Sequence, residues 1–384
     1  MTGPILFTPL DLRGVRFKNR IVVSPMCQYQ AVEGAIQDWH MAHHGRFALG
    51  GVGACVIEAT GVTRDGRITP GCTGLYDDAH IPGMRAIAAL YRRFGAACGV
   101  QIGHAGRKAS TARPWDGAGP LEPGGPEPAW ETIAPSALPH RPDWPAPRAM
   151  EAADFERVRE GFADATRRAL AAGLDFVEIH GAHGYLLHTF FSPLSNRRED
   201  AYGGDLEGRM RFVLEITEIV RSVWPADKPV FYRASAVDGT EGGITLDDTI
   251  ALARALKAKG VDVIDCSSGG ILTGVALAGA GSKPAPGHQV PLAGGVRRGA
   301  DVATMAVGLI VDPHQAEAIL EAGEADLIAL GRELMADPNW PFHAAQALGV
   351  EDADGVLPEP YAFYLRRRGR VSLDPRDPPW PQRT

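Results

Sequence analysis

LDFVEIHGAHGYLLHTFFSPLSNRREDAYGG (174–204) carries the densest chemistry in this 384-residue chain, and the rest is read outward from it. Residues 174–179 read as a buried strand: a short apolar run containing Phe176, Val177 and Ile179, after a helical stretch that closes at Gly173. The run ends in His180-Gly-Ala-His183-Gly-Tyr185, beyond which an irregular polar loop is expected. Two imidazoles and a phenol at the carboxyl end of one strand occupy the place where parallel α/β proteins put catalytic groups. Glu178 on the same strand is costly to bury unless something pairs with it. Blander readings stay open: satisfied core histidines, a packing tyrosine, or a metal pair. The metal pair lacks the i, i+4 helical spacing of H-E-x-x-H and has no nearby cysteine.

Strand-like runs alternate with helical patterns on both sides of this stretch. Strands are expected at 21–26, 53–62, 98–103, 174–179, 230–235, 261–266, 302–310 and 327–330. Helices are expected at 39–49, 80–94, 152–172, 210–223, 246–259 and 313–321. Parallel strands need crossovers, so eight such units predict a single (β/α)8 barrel over 1–384. A doubly wound sheet is the alternative, but no G-x-G-x-x-G opens the first helix. Residues 109–149 are rich in Pro, Gly and Trp without helical period, and they follow strand three. That predicts a lid-like insertion over the carboxyl face; Trp115, Trp130 and Trp144 favour packing over a loose linker. The segment 349–384 is Pro-rich and reads as an extended C-terminal tail.

Composition narrows the function. A net charge of -7 argues against a nucleic-acid footprint. No signal-peptide pattern and no apolar run of about 18 residues is seen, so a cytoplasmic protein is expected. The five dispersed cysteines suit a reducing compartment. His40, His43 and His44 offer helical metal spacing but lie inside a helix rather than at a strand end. In a barrel every strand end faces one mouth, which gathers Ser24 to Tyr29, Glu58-Ala59-Thr60, Gln101, His104, Arg107 and Arg233. Donors outnumber carboxylates there, which suits an anionic cofactor better than a divalent metal. Val307-Gly308 and Gly331-Arg332 follow the last two strands, where barrels seat phosphates.

Four blocks together (residues 6–29, QIGHAGRKA at 101–109, 180–204, and ADLIALGRELMADP at 325–338) resemble the Old Yellow Enzyme family of FMN oxidoreductases. The likeness is to its thermophilic-like, xenobiotic-reductase-like branch. It implies an NAD(P)H-dependent ene-reductase with tightly bound, non-covalent FMN and ping-pong kinetics. Ser24, Pro25, Met26, Cys27, Ala59 and Gln101 would line the flavin, with Cys27 standing where other branches have threonine. Arg233 would face the N1/C2 edge, and Gly308, Gly331 and Arg332 would take the phosphate. His180 and His183 would bind the substrate's oxygen with Tyr29, and Tyr185 would protonate the α-carbon. Tyr364 or Arg366 would reach a neighbouring subunit's site in a homodimer or homotetramer. A metal-dependent barrel hydrolase using His180, His183 and His104 is the alternative from another class; no metal is expected on the main reading. An iron–sulfur multidomain dehydrogenase and a non-catalytic flavin carrier are the remaining alternatives.

Overall fold

Strands form where β-branched and aromatic residues run between turn signals, and here eight such runs close on themselves. The computed structural model describes residues 3–272 and 284–368. The barrel strands are β1 (Ile21–Val23), β2 (Ala54–Gly61), β3 (Ala97–Gly103), β4 (Phe176–Gly181), β5 (Val230–Ser235), β6 (Val263–Ser267), β7 (Ala303–Ala306) and β8 (Leu327–Leu330). Each pairs in parallel with the next in the chain, and β8 pairs with β1 to close the ring. A closed parallel barrel with no free edge is the architecture expected from the alternating pattern.

The crossovers are α1 (Asp38–Leu49), α2 (Ile81–Arg93), α3 (Ala152–Ala171), α4 (Leu206–Val223), α5 (Leu246–Ala258), α6 (Val290–Ala300), α7 (Pro313–Glu321) and α8 (Trp340–Ala347). Helix α3 shows why they form. Glu151 and Asp154 make a reciprocal capping box, and Phe155, Val158, Phe162, Ala165 and Ala169 recur at helical spacing on the buried face.

Three departures from the sequence reading have physical causes. The stretch after β4 is not an irregular polar loop at its start: Leu186–Phe191 is a short helix whose six residues are all buried. Helix α6 was not expected, because its glycines erase the helical pattern. They serve packing instead: a Cβ at Gly295 would approach Leu246 to 2.8 Å, and one at Gly299 would approach Ile250 to 2.7 Å. Strand seven stops at Ala306 rather than running to 310, since Gly308 (φ 117°) and Leu309 (φ 53°) turn the chain away.

An N-terminal hairpin, Leu10–Leu12 with Val15–Phe17, carries Phe17. Its ring lies 5.6 Å from Phe176 and 6.1 Å from Phe231 inside the barrel. This end is therefore filled with apolar side chains, and any site must lie toward the carboxyl ends of the strands.

The segment 109–149 is tied down at several points. Arg113 pairs bidentately with Glu127 at 2.8 and 2.9 Å, and the Trp130 indole donates to the Asp65 carbonyl at 2.9 Å. Arg107 reaches up to the Leu138 and Pro139 carbonyls. Of the three tryptophans expected to pack, Trp130 and Trp144 are partly buried, whereas Trp115 is exposed. At the other end of the chain, Glu359–Arg368 is an exposed helix.

Candidate active site

Alternate residues of a barrel strand point inward, so side chains stack in layers. The lowest layers hold Phe17, Val22, Phe176, Phe231, Val263 and Leu327. Two residues further along the strands the filling turns polar. Gln101 Nε2 donates to Glu178 Oε1 at 2.8 Å, and Arg233 Nε lies 3.2 Å from Asp265 Oδ2. Arg233 also reaches Ser24 Oγ at 3.4 Å. Glu178 and Asp265 are both fully buried. Two carboxyls share one guanidinium there, so both cannot stay ionised cheaply. Burial, then the charge of Asp265, pushes Glu178 up to about 8 against the opposing pull of Arg233.

The mouth lies above this layer. His180 Nδ1 accepts from the Ala182 amide at 3.3 Å, which leaves the ring proton on Nε2. Burial and the positive field of Arg233 hold His180 and His183 well below the usual imidazole range, so both are neutral. His183 adopts a left-handed backbone (φ 60°). Its amide donates to Ser235 Oγ at 2.9 Å, and its carbonyl accepts from Lys108 Nζ at 2.7 Å. His183 Nε2 sits 2.7 Å from Ser267 Oγ. The rings of His180 and His183 are 5.3 Å apart, and that of Tyr185 is 4.8 Å from His180. Desolvation raises the Tyr185 phenol far above its ordinary value, so it is a proton-bearing group. Lys108, lowered to about 8 chiefly by burial, stands 5.5 Å from the Tyr185 ring.

Tyr29 and Cys27 come from the loop after β1. Tyr29 has φ 53°, its carbonyl accepts from Arg113 at 3.2 Å, and its ring meets Trp115 edge-on at 5.8 Å. The Tyr29 side of the mouth thus touches the 109–149 segment directly. Burial and then Glu58 push the Cys27 thiol up, so it is no thiolate nucleophile. Glu58 itself accepts from the Gln28 amide and lies 3.2 Å from His40 Nε2. His44 bonds Tyr91 at 3.0 Å. The helical histidines singled out in the sequence are therefore engaged in packing α1 against β2 and α2.

Beside the mouth lies a cavity of about 380 Å³, within the size range of ligand sites. Ser24, Met26, Arg233, Gly308, Gly331 and Arg332 all line it. At Gly308 a Cβ would strike Gln289 Oε1 at 2.7 Å, so only glycine fits its left-handed turn. Two guanidiniums and two glycine-bearing turns around one hollow fit an anionic ligand carrying a phosphate. Ala59 faces a second, water-sized cavity of about 20 Å³ shared with His180 and Tyr185. Pro25 follows Ser24 in the same loop, and Gln101 sits in the polar layer beneath.

Sequence reasoning missed Ser267 and Gln289, which also line the larger cavity beside Val307. Ser267 directly follows the predicted end of strand six, so its position was the available signal; Gln289 left none. Tyr364 and Arg366 stand apart from both cavities in this chain. Tyr364 is 69% exposed, and Arg366 pairs with Asp352 and Glu359 at 3.2 Å each. Among the described residues no three His, Cys, Asp or Glu side chains are grouped to hold a metal ion, and His104 Nδ1 is taken by the Gly106 amide at 3.0 Å. No helix among those residues is long and apolar enough to cross a membrane.

The chain is similar to known proteins over most of its length. Residues 5–351 match the model of the NADH:flavin oxidoreductase / NADH oxidase family. Over 349 residues the chain is 44% identical to an NADPH dehydrogenase of Geobacillus thermodenitrificans (strain NG80-2), covering 90% of this chain and 95% of the relative. It superposes on morphinone reductase with a TM-score of 0.75 at 25% identity, covering 90% of each chain. A 2-naphthoyl-CoA reductase gives a TM-score of 0.79 at 25% identity, covering 89% of this chain but only about half, 52%, of that longer one.

Proposed function

The chain belongs to the NADH:flavin oxidoreductase / NADH oxidase family, among the Old Yellow Enzyme-type FMN oxidoreductases, and from that membership we propose that it reduces the C=C bond of activated alkenes. It is a flavin-dependent oxidoreductase that uses FMN and takes its electrons from NAD(P)H. The finer reading concerns the acceptor: an α,β-unsaturated carbonyl or nitro compound.

On this reading Gly308, Gly331 and Arg332 hold the FMN phosphate. Ser24, Pro25, Met26, Cys27, Ala59, Gln101 and Arg233 surround its ring. Bound there, FMN supplies a carrier that accepts a hydride from the nicotinamide and delivers it to the β-carbon. The remaining chemistry belongs to the chain. His180 offers its Nε2–H, and His183 joins it on the substrate's carbonyl or nitro oxygen, with Tyr29 as a further contact. Neutral imidazole donors polarise the alkene and stabilise the developing enolate. Tyr185, whose phenol keeps its proton, supplies that proton to the α-carbon. Arg233 opposes the negative charge that accompanies the stored hydride. A homodimer or homotetramer in which Tyr364 or Arg366 contacts a partner's mouth remains part of the proposal, as do the lid role of 109–149 and a cytoplasmic location.

The observation that carries the reading is the neutral His180 ring, with Nε2–H uncommitted, standing 4.8 Å from Tyr185 at the mouth above Arg233. The FMN-loaded protein should bleach with NADPH under anaerobiosis and recolour on adding cyclohexenone or N-ethylmaleimide. Reoxidation by oxygen but by no activated alkene would sink the proposal. The double variant His180→Ala, His183→Ala should keep FMN and lose both phenol binding and alkene reduction. Loss of FMN instead would put the pair on the wrong side of the ring.

A further inference from the structure

Beneath the mouth, four buried polar side chains meet with a mismatch in charge. Glu178 comes from β4, Asp265 from β6, Arg233 from β5 and Gln101 from β3. Among the described residues Arg233 is the only cation acting on either carboxyl, while His180 and His183 above it are neutral. Gln101 satisfies one oxygen of Glu178; its other oxygen and both Asp265 oxygens lack hydrogen-bond partners among the described residues. Arg233 Nε, 3.2 Å from Asp265, makes a charge contact without hydrogen-bond alignment. Three unpartnered buried acceptors around one guanidinium are a standing cost that a single proton relieves. The layer is sealed below by Phe176 and Phe231 and faces the cavity above.

We propose that Glu178 and Asp265 are a redox-linked proton-holding pair, which keeps one proton while the cofactor carries negative charge beside Arg233 and releases it most readily when that charge is gone. The inference rests on the proposed seat of the ring against Arg233. Negative charge there competes with the carboxyls for the one cation, so it tightens the pair's hold on the proton. The balance is simple. A hydride from NAD(P)H brings two electrons and one proton. When the pair starts unprotonated, a second proton enters from solvent and forms the O–H bond of one carboxyl. That proton leaves again once the hydride has passed to the alkene.

The pH window follows from the direction of the shift. Where burial keeps the pair protonated before reduction, reduction takes up one proton per two electrons; at higher pH, where the oxidised enzyme has lost that proton, reduction takes up two. Spectroelectrochemical titration of the FMN-loaded enzyme should therefore show its two-electron potential falling by about 30 mV per pH unit in the lower range and by about 59 mV in the upper range. Glu178→Gln, an isostere of the protonated acid, should keep the neutral-pH potential and remove the break. Asp265→Asn removes the repelling charge and should move the break to lower pH. Reduced-minus-oxidised infrared difference spectra above the break should gain a protonated-carboxyl C=O band in the wild type. An unbroken wild-type slope, or a break that persists in Glu178→Gln, overturns the proposal. If a variant fails to load FMN, the wild-type slope and its infrared band decide alone. Failure of the underlying reading is distinct: Arg233→Lys would then leave the bound flavin's potential and spectrum unmoved.

Discussion

In the proposed reaction Tyr185 serves as the acid, and its surroundings keep the proton on its phenol. Desolvation is the largest cause of its raised pKa, with the Cys27 thiol adding and Arg233 opposing. For an acid a raised value means the proton persists to higher pH, so alkene reduction should show no alkaline fall from tyrosine ionisation below about pH 10. Tyr185→Phe should slow the oxidative half-reaction by roughly 10²- to 10⁴-fold, the usual range for one positioned acid, with a far smaller effect on reduction by NADPH. Stopped-flow traces of the two half-reactions check this; equal slowing of both would remove Tyr185 from proton transfer. Ser267 makes a second case. Its hydroxyl is the partner of His183 Nε2, so Ser267→Ala should weaken binding of a phenolic inhibitor by about 1 kcal/mol, roughly fivefold. Spectral titration of the inhibitor against bound FMN reads it. The contrast also shows what the sequence discloses. His180, His183 and Tyr185 announce themselves by crowding one strand end. Ser267 arrives from a strand 84 residues further on, and nothing local marks it as their partner.

At the scale of elements the two ways of holding this barrel together separate cleanly. Phe162 on α3 is wholly buried, and Phe162→Ala should cost roughly 3–5 kcal/mol through lost burial and a cavity. The Arg113–Glu127 pair in the 109–149 segment is partly exposed, and an exposed pair contributes only about 0–1 kcal/mol. Arg113→Ala should therefore leave the thermal midpoint nearly in place. Because Arg113 also holds the Tyr29 carbonyl, the variant should raise KM for the alkene more than it lowers kcat. A drop in the midpoint comparable to that of Phe162→Ala would mean the segment is structural rather than a cover for the mouth. The same distinction explains what was legible. Strands and helices with a clear apolar period, such as β5 and α7, coincide with expectation residue for residue. Helix α6 hides because its glycines answer to α5 across a helix contact. The hairpin that plugs the barrel hides because strands of three residues have too few alternations to read.

For the whole molecule, the buried titratable groups set opposing slopes of stability against pH, and their signs can be worked out. His104 and His43 are lowered to about 4 and His140 to about 3, chiefly by burial. Lowered imidazoles let the unfolded chain bind protons first, so their contribution is present above about pH 6.5 and lost as pH falls toward the folded values. Glu178 is raised to about 8, so the folded chain holds a proton the unfolded chain has given up. Its contribution is fully present below about 4.3 and lost as pH rises through 8. Lys108, lowered to about 8, pushes the other way only above that point. Between about 6.5 and 8, then, the histidines are spent and the curve is tilted downward by buried carboxyls raised by desolvation, Glu178 foremost with Asp265 and Glu58 of the same sign, each contributing up to about 1.4 kcal/mol per pH unit for one proton. FMN-free protein should lose stability toward urea across that interval, and Glu178→Gln should make the fall shallower. A flat or rising wild-type curve there would mean Glu178 is ionised in the folded chain. The one-proton account of the layer under Arg233 would then fail without any reference to turnover.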